Sequence, residues 1–600
     1  MEAKKIRTRE EIPEEDKWNL ADLFPSDEAW EDELKTVAED QAYMAAFAGK
    51  LADSPENLYA YLQRYEAVKV KANLLGNYCM RKADQDTRNA TYQAMNGRFS
   101  SVFVELRAAT SFETPEIMAI SEETLEQFYQ ALPELERYRR FLTDLRRRKA
   151  HTLSAAEEKL LAAAGEMAES PDKIFGVFSN ADLSFKDAVD SRGERYPLTQ
   201  GTFVPLEKSA DRALRISAYE NLYDGYTAFK NTSAALLNAQ NKQLKFFAEA
   251  RNYPSAFEYA LDRTNVPTSV YLNLIEAVHQ NLPKMHRYVR LRKKLLGVDQ
   301  LHFYDVYTPL VADVDREIPY AEAKATIYDA LHPLGDGYRA ILKEGFENRW
   351  IDVYQNVGKR SGAYSAGAMV HPYVLMNYTG TLNTQFTLAH EMGHALHSYL
   401  SNHHQNPMDA SYVIFVAEVA SNCNEALLME YLLERTTDKR ERAYLINHFM
   451  EQFKGSIFRQ TMFAEFELNI GRMVSQGQTL TAEVLCTEYK RLNELYFGPD
   501  MVVDDRIAME WARIPHFYYN YYVFQYSTGY SAAIALSRRI LKEGKPAVSD
   551  YLDFLSGGCS KSPIELLKGA GVDMTTPEPV NAALELFGQL VEEMETLMEE

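Results

Sequence analysis

Apolar side chains recur three and four positions apart along most of the chain. The pattern is clear in SPENLYAYLQRYEAVKVKANLLGNYCMRK, residues 54–82, and again in residues 217–250. This spacing places the apolar residues on one side of a helix, where they can face a core. Serine or threonine precedes several such runs, as in SEETLEQFYQAL and TLSAAEEKLLAAAGEM, and these residues are preferred helix N-caps. The pattern therefore predicts a mainly α-helical protein.

Two segments interrupt the helical pattern. Residues 181–199, ADLSFKDAVDSRGERYPLT, predict a short hairpin with its turn near Ser191–Gly193. We place a domain boundary there, which gives an N-terminal helical domain, 1–190, and a second domain, 191–600. Residues 350–378 combine β-branched and aromatic residues with clustered Gly and Ser, which predicts a few strands and a loop. These strands directly precede a segment that is rich in histidine.

Composition and charge narrow the class of protein. The chain has 600 residues, of which 46% are hydrophobic and 25% charged, as in soluble globular proteins. Its net charge of −21 argues against nucleic acid as a partner, because phosphate binding requires clustered Lys and Arg. No apolar run approaches the roughly 20 residues that span a bilayer, and no signal-peptide pattern opens the chain. The four cysteines are widely separated, which indicates a reducing, cytoplasmic location. Oligomeric state stays open.

The histidine-rich segment reads TLAHEMGHALHSYL from Thr387 to Leu400. It predicts a helix that begins after Thr381 or Asn383 and ends near Leu400. On that helix one stripe faces a core, and it comprises Phe386, Ala389, Met392, Gly393, Leu396, Tyr399 and Leu400. His390 and His394 fall together beside the stripe, and Glu391 falls further round, on the polar side.

This spacing suits a catalytic zinc site. Two imidazoles on neighbouring turns can converge on one Zn²⁺, and the intervening Glu391 can accept a proton from its bound water. Chance would produce such a motif in roughly one or two chains per hundred of this composition. We therefore predict that His390 and His394 bind the metal. His397 lies on the same side as His390, and for it a contact to a ligand or packing is favoured over ligation.

A third ligand is expected because catalytic zinc has three protein ligands and an open position. The downstream segment ASYVIFVAEVASNCNEALLMEYLLERT predicts a buried helix, and Glu418 lies in its most apolar part. A carboxylate there costs several kcal/mol unless it is paired or bound to metal, so Glu418 is the predicted ligand. Pairing with a buried Arg or Lys is the alternative. Glu425, on the same helix face, is suited to hydrogen bond a ligating histidine.

These motifs resemble a known family. HEMGHALH followed by FVAEVAS is similar to the thimet-oligopeptidase group of zinc metallopeptidases, and more closely to oligoendopeptidase F. Further matching pieces are KWNLADLFPSDEAW, GKRSGAYSAG, HPYVLMNYTGTLNTQFTLAHEMGH and RIPHFYYNYYVFQYSTG. Together they extend over nearly the whole chain.

The resemblance implies a mainly α, two-lobed zincin-like metallopeptidase with a small β-sheet beside the HExxH helix and a deep substrate channel. It implies cleavage of internal bonds in short, unstructured peptides by the catalytic domain at 191–600. One Zn²⁺ per chain would be bound by His390, His394 and Glu418, with Glu391 as the base that activates water. Partners would be peptide substrates, without nucleic acid or membrane.

An aromatic cluster near the end, PHFYYNYYVFQYSTGY, predicts further catalytic groups. The oxyanion that forms during peptide hydrolysis needs a phenol or imidazole donor, and family members use a His and tyrosines here. On a helix, His516, Tyr519, Tyr522 and Tyr526 would share one face. We predict His516 first, then Tyr519 and Tyr522. The tyrosine spacing leaves open which ones act, and simple aromatic packing is the alternative.

Two other functions remain as alternatives. A carboxydipeptidase on the same scaffold would need a cationic group for the free carboxylate of its substrate. A helical peptide-binding protein with a structural metal would have no need of Glu391 as a base. The loop GKRSGAYSAG, beside PYVLMNY, predicts a mobile flap and an edge strand that could bind an extended peptide. His371 and Tyr373 could line that strand, or could simply pack.

Overall fold

The structure is a computed structural model that describes residues 6–311 and 316–599. The described residues form 24 α-helices and seven short strands, which confirms the predicted mainly α class. The helices are α1 (Asp27–Ala45), α2 (Pro55–Gln85), α3 (Ala90–Ala109), α4 (Glu113–Ala119), α5 (Glu122–Ala131), α6 (Arg139–Arg147), α7 (Ala155–Ala168), α8 (Ser170–Val177), α9 (Gln200–Glu207), α10 (Arg212–Ala228), α11 (Lys230–Ala250), α12 (Ala256–Asp262), α13 (Thr268–Leu296), α14 (Tyr320–Ala330), α15 (Gly335–Glu347), α16 (Leu382–His404), α17 (Ile414–Arg435), α18 (Lys439–Phe453), α19 (Gln460–Ser475), α20 (Ala482–Phe497), α21 (Phe524–Glu543), α22 (Lys545–Leu555), α23 (Pro563–Gly569) and α24 (Glu578–Glu599).

The seven strands are β1 (Ala188–Val189), β2 (Arg195–Tyr196), β3 (Leu301–His302), β4 (Ile351–Asp352), β5 (Tyr364–Ala366), β6 (Tyr373–Leu375) and β7 (Met501–Val502). They form three small sheets with the strand orders β1-β2, β3-β7 and β4-β6-β5. Among all described helices, none combines the length and the apolar character that a membrane span requires.

The chain divides into two compact units, each assembled from separate stretches of sequence. The first unit contains residues 6–150, 316–431 and 536–571, and the second contains 151–311, 432–535 and 572–599. The boundary near residue 190 that the sequence suggests falls inside the second unit, so the two divisions do not coincide. Contacts between distant stretches define a compact unit, and a linear reading of the chain does not reveal them. The division into domains 1–190 and 191–600 stays a prediction.

In the first unit, helices α1 to α6 pack around an aromatic and aliphatic core. Trp30 is fully buried and donates its indole N–H to the carbonyl of Leu75 at 2.9 Å, so its one polar atom is satisfied. Tyr373 and Leu375 of β6 belong to the same core cluster. The core therefore extends from the N-terminal helices to the small sheet that precedes the histidine helix.

That small sheet confirms the strands predicted within residues 350–378. β6 is central, with β4 parallel to it (Ile351 opposite Val374) and β5 antiparallel to it (Ser365 opposite Val374). The chain leaves β6 and enters α16 seven residues later. Both α16 and the sheet lie in the first unit and pack against each other. β5 lies at one edge of the sheet, as the sequence suggested for this region.

His371 and Tyr373 are accounted for by packing. The ring of His371 stacks on Trp350, with centroids 5.0 Å apart, and its Nε2 lies 3.1 Å from a carboxylate oxygen of Asp22. Tyr373 is fully buried and donates its hydroxyl to the carbonyl of Asn19 at 3.0 Å. Both residues therefore have packing roles, which was the alternative to lining the edge strand.

In the second unit, long helices pack around a core rich in phenylalanine. α13 and α18 both pack against α24, and Phe453 and Phe458 surround Phe587 with ring centroids 5.8 and 5.1 Å away. The predicted hairpin is present as β1 and β2, with Ala188 opposite Tyr196. Gly193 in its turn has φ of +86°, a conformation that glycine adopts without a steric penalty.

Candidate active site

The helix that carries the two histidines is α16, and it starts where a capping residue was predicted. The Thr381 hydroxyl accepts the backbone N–H of Thr384 at 3.2 Å, and the Thr384 hydroxyl accepts the N–H of Thr381 at 3.1 Å. This reciprocal capping box satisfies two donors at the helix N-terminus. The helix ends at His404, one turn beyond the predicted end near Leu400.

The apolar stripe of α16 is buried as predicted, but the polar side is not where we expected it. The buried stripe contains Phe386, Ala389, Met392, Gly393, Leu396 and Leu400, whereas Tyr399, which was also predicted to belong to it, is only partly buried. Glu391 was predicted on the polar side, yet it is only 7% exposed. That prediction was wrong because α16 packs against α14, α15, α22 and the small sheet, so more than one side of the helix is covered. Amphipathic periodicity describes only the side that faces the main core.

His390, His394 and Glu418 come together in the first unit. The two Nε2 atoms lie 3.2 Å apart, and the Glu418 Oε2 lies 3.4 Å from His390 Nε2 and 3.7 Å from His394 Nε2. Among the described residues, this is the one group of at least three His, Cys, Asp or Glu side chains whose ligand atoms lie within 4.8 Å of one another. These three potential metal-ligand atoms, which form the donor cluster, therefore converge on one point.

A second carboxylate fixes the orientation of one imidazole. Glu425 Oε1 lies 2.5 Å from His390 Nδ1, on the side of the ring opposite the donor cluster. A proton on Nδ1 satisfies this hydrogen bond and leaves Nε2 with its lone pair toward Glu418 and His394. The contact that the sequence suggested for Glu425 is thus present.

His397 is a packing residue. Its ring stacks on Tyr412 at a centroid distance of 3.7 Å and lies 5.5 Å from Phe554. Burial lowers its pKa to about 3, so the ring is neutral. Burial also lowers the pKa of His394 well below its usual value. A neutral imidazole is the form that binds metal.

Close packing of α16 on α17 brings Glu418 to the histidines. A Cβ at Gly393 would lie 2.5 Å from the Ser421 Cα and 2.7 Å from the Ala420 carbonyl oxygen. Only glycine permits this approach of the two backbones. Asn424 also joins the helices, because its Nδ2 donates to the Ala389 carbonyl at 3.2 Å. The site therefore depends on helix spacing as well as on its polar residues.

Glu391 lies next to the cluster in a buried environment. Its Oε2 accepts no hydrogen bond from the described residues. Burial raises the pKa of its carboxyl to about 7, against the opposing charge of His390. A carboxyl group with such a pKa exchanges a proton readily near neutral pH. This environment is compatible with a general base.

The predicted aromatic cluster lies in the second unit. The ring of His516 lies 5.5 Å from Tyr519, 6.3 Å from Tyr522 and 5.9 Å from Tyr526, and the Tyr522 and Tyr526 rings are 5.4 Å apart. The four rings thus lie close together, and their catalytic role stays a prediction. The nearby residues Phe517, Tyr518 and Tyr521 are buried.

The helix that was expected to present these rings is absent from residues 515–523. Pro515–Tyr518 form a 3₁₀ turn, an irregular segment follows, and α21 begins at Phe524. The helical expectation was wrong because Asn520 and Tyr521 have φ of +57° and +61°, which interrupts any right-handed helix. Two features of this segment's surroundings were missed, namely the buried Glu467 and Gly471 of α19. A charged residue and a glycine inside an apolar helix were the available signals.

Comparison with known proteins agrees with this architecture. The family model described as Peptidase family M3 matches residues 206–586, and the model described as Oligopeptidase F matches residues 116–185. Oligopeptidase PepF of Bacillus subtilis (strain 168) is 47% identical over 597 residues, covering 99% of this chain and 89% of the relative.

Two solved structures have the same fold. The crystal structure of a chain from Chlamydophila abortus matches with a TM-score of 0.91 at 36% identity, covering 99% of this chain and 100% of that one. Oligoendopeptidase-F from Enterococcus faecium matches with a TM-score of 0.76 at 38% identity, covering 96% and 99% respectively. The chain therefore belongs to Peptidase family M3, as a peptide-hydrolysing member of its oligoendopeptidase F group.

Proposed function

We propose that this peptidase is a zinc-dependent oligoendopeptidase that hydrolyses internal bonds of short, unstructured peptides. The observation that carries the proposal is the convergence of His390 Nε2, His394 Nε2 and Glu418 Oε2. Family membership supports peptide hydrolysis, and a relative described as oligoendopeptidase-F supports cleavage at internal bonds.

The donor set fits zinc. A tetrahedral Zn²⁺ with bonds of about 2.0–2.2 Å separates neighbouring ligand atoms by about 3.3–3.6 Å. The three separations among His390, His394 and Glu418 are 3.2, 3.4 and 3.7 Å. Two imidazoles and one carboxylate are a ligand set of catalytic rather than structural zinc, because the fourth position stays open.

The mechanism assigns a task to each residue near the donors. When bound, zinc supplies a Lewis acid that activates water and polarises the scissile carbonyl. Glu391 takes a proton from the attacking water and delivers it to the leaving amide nitrogen. Glu425 accepts the Nδ1 proton of His390, which directs the Nε2 lone pair toward the donor cluster. Glu418 contributes the oxygen ligand atom, Oε2.

His516, Tyr519 and Tyr522 are the proposed donors to the negative charge that develops on the carbonyl oxygen. Their support is chemical, because imidazole and phenol groups donate hydrogen bonds and these rings cluster on one face. Tyr519 is 48% exposed. The two-lobed shape with a substrate channel and the cytoplasmic location stay predictions.

The test is hydrolysis of an internally quenched peptide of about ten residues by wild type and by Glu391→Gln. We expect the variant to retain zinc and to lose activity by a factor of about 10²–10⁴, because only the proton acceptor is removed. Zinc content is measured by atomic emission on both proteins. Equal activity in the two proteins would contradict the mechanism.

A second peptide separates endopeptidase from carboxydipeptidase. The same peptide with an amidated C-terminus has no terminal carboxylate, so a carboxydipeptidase loses its recognition group. We expect both peptides to be cleaved at the same internal bond, as identified by mass spectrometry. Cleavage of the free-acid peptide alone, two residues from its end, would favour the carboxydipeptidase.

A further inference from the structure

The turn that joins the 3₁₀ segment to α21 has an unusual backbone. Asn520 and Tyr521 are consecutive non-glycine residues with φ of +57° and +61°. Asparagine tolerates this left-handed conformation, but for a bulky aromatic residue it is a true outlier. Such a conformation persists only where the surrounding structure enforces it. The residues that contact this turn therefore show what enforces its conformation.

Polar groups from two helices fix the backbone of the turn. Glu467 of α19 accepts the Tyr521 N–H at 2.5 Å. Gln240 of α11 donates from Nε2 both to the Tyr518 carbonyl and to the Asn520 Oδ1, each at 2.9 Å. Burial raises the pKa of Glu467 to about 8, and its Oε2 has no hydrogen-bond partner among the described residues. The buried carboxyl of Glu467, which disfavours folding, therefore lies where α19 contacts the strained turn.

The side chain of Tyr521 occupies a slot that α19 leaves for it. Its ring is 4% exposed and packs against Phe257 and Tyr271, with centroids 5.3 and 5.9 Å away. Gly471 lies one helical turn beyond Glu467, on the same face of α19. A Cβ at Gly471 would overlap the Tyr521 hydroxyl, whereas the next nearest atom, Tyr521 Cζ, would be 3.4 Å away. Only glycine leaves room for this hydroxyl.

The segment therefore has an inward and an outward set of residues. Phe517 packs inward on Phe463 and Phe466 of α19, with ring centroids 5.6 and 5.1 Å apart, and Tyr521 packs inward beside Gly471. The outward set is partly exposed and consists of His516, Tyr519, Tyr522 and Tyr526. Tyr521 lies between Tyr519 and Tyr522 in the chain, so a displacement of its backbone would also displace theirs.

We infer that Glu467, Gly471 and Tyr521 are positioning residues, which hold the left-handed turn and thereby set the positions of the Tyr519 and Tyr522 side chains. Tyr521 is thereby distinguished from the neighbouring tyrosines, since it acts through the backbone and does not touch the reacting atoms. The inference rests on the proposed function, in which the outward rings donate to the oxyanion. It assigns a reason to three local features that each oppose folding, namely a buried acid, a helical glycine and a left-handed tyrosine.

The test uses Gly471→Ala, Tyr521→Phe and the double variant. The added methyl group of Gly471→Ala displaces the Tyr521 ring, and with it the turn. A displacement of about 1 Å can lower a rate about a hundredfold, so we expect kcat for the quenched peptide to fall by about that factor. KM and zinc content should change by less than about threefold. Tyr521→Phe should retain kcat within about threefold.

The double variant decides between positioning and general damage. Phenylalanine in place of Tyr521 has no hydroxyl, so the methyl group that Gly471→Ala adds would have room. We expect Gly471→Ala/Tyr521→Phe to recover the kcat of Tyr521→Phe. Failure of the double variant to recover, or an unchanged kcat in Gly471→Ala, overturns the inference. If Gly471→Ala alone does not fold, the double variant must still be folded and active.

A second readout does not depend on turnover. Hydrogen exchange of the peptide covering residues 515–526 reports the Tyr521 N–H, which Glu467 accepts. We expect faster exchange in Gly471→Ala and in Glu467→Leu, and wild-type exchange in the double variant and in Glu467→Gln, which keeps the acceptor. Unchanged exchange in Gly471→Ala overturns the inference whatever the activity.

The failure of the inference and the failure of the proposed function give different results. If wild type does not cleave the peptide, or Glu391→Gln cleaves it equally well, the proposed function fails and takes the catalytic part of the inference with it. If wild type is active, Glu391→Gln is inactive and kcat is indifferent to Gly471→Ala, the proposed function stands and the inference alone fails.

Discussion

The two candidate functional regions are built by opposite means. The donor cluster of the first unit comes from two regular helices, α16 and α17, whose backbones approach closely at Gly393. The aromatic cluster of the second unit comes from an irregular segment, in which two left-handed residues are stabilised by buried polar groups of α11 and α19. Regular helices fix a geometry through spacing, whereas the irregular segment needs individual contacts for each residue. Substitutions should therefore act differently in the two regions.

The largest effect is expected at the contact between α16 and α17. Gly393→Ala would place a Cβ 2.5 Å from the Ser421 Cα, a contact that only separation of the backbones can relieve. Overpacking of this kind costs typically about 1–3 kcal/mol and occasionally more, and a contact between two backbones lies at the upper end. We expect loss of zinc and of peptidase activity, together with a lower Tm, measured by atomic emission and calorimetry.

Gly337→Ala is the matched control for that substitution. Gly337 lies inside α15, and a Cβ there would have no neighbour within 4 Å. Replacing a glycine at such a site is neutral or stabilises by about 0.4–1 kcal/mol. Wild-type zinc content and Tm in Gly393→Ala would contradict the idea that helix spacing brings Glu418 to the histidines.

The second effect concerns the pH dependence of Glu510, which lies in the 3₁₀ segment Ile507–Arg513 just before the aromatic segment. Burial alone would raise the pKa of Glu510, but the charges of Arg459 and Arg513 outweigh burial and lower it to about 2. A pKa below the unfolded value of 4.5 stabilises the fold above about pH 4.5, and this contribution is lost as the pH falls toward 2. The contribution is on the order of 3 kcal/mol. Glu510→Gln should therefore be less stable than wild type at pH 6, with a difference that shrinks toward pH 3.

Urea unfolding between pH 3 and pH 6 measures this difference. Glu494→Gln is the control, because Glu494 is exposed on α20 and makes no comparable buried contacts. It should follow wild type at every pH. An identical pH dependence for wild type and Glu510→Gln would show that the Arg459–Glu510–Arg513 group does not stabilise the fold through the ionised carboxylate.

The contrast between the regions also explains what the sequence could predict. His390, His394 and Glu391 follow helical spacing, and Glu418 was found because a carboxylate in an apolar helix needs a partner. The burial of Glu391 was missed, since it depends on α14, α15 and α22, which are distant in the sequence. Burial by elements that are distant in the sequence leaves no pattern in the residues around Glu391.

The proximity of the four aromatic rings was expected from a helix that the structure does not contain. A helix would have placed His516, Tyr519, Tyr522 and Tyr526 on one face, whereas the observed segment brings their rings together without being helical there. Local sequence could not reveal the left-handed turn, because the groups that stabilise it lie on α11 and α19. The sequence YYNYY offered only Asn520 as a residue that tolerates the conformation.

A third prediction returns to the donor cluster and concerns Glu425. Its carboxylate orients His390, and removing such a partner lowers metal affinity by about 10–100-fold. We expect Glu425→Ala to bind zinc about 10–100-fold more weakly than wild type. Added zinc should restore its activity, since His390, His394 and Glu418 remain. Zinc affinity is measured by competition with a chelator of known affinity. Glu434→Ala, at an exposed position near the end of α17, should leave zinc affinity unchanged.

The smallest effect tests the backbone of the turn itself. Asn520→Ala and Asn520→Gly both remove the Oδ1 that accepts a hydrogen bond from Gln240. Only alanine then meets the steric cost of the left-handed conformation, which is about 1–2 kcal/mol and is partly offset by the greater freedom of glycine in the unfolded chain. The glycine variant should therefore be the more stable of the two by about 0.5–1 kcal/mol, measured by urea unfolding.

The same pair of substitutions at a helical position should give the opposite order. Gln280 is exposed in the middle of α13, where alanine is favoured over glycine by about 1 kcal/mol. If glycine is the more stable variant at position 520 and alanine at position 280, the left-handed backbone is the cause. Neither solvent exposure nor hydrogen bonding can reverse the order of stability of the two variants. If alanine is preferred at both positions, the turn at Asn520 is not left-handed in solution. The strained turn would then not distinguish the aromatic region from the helical one.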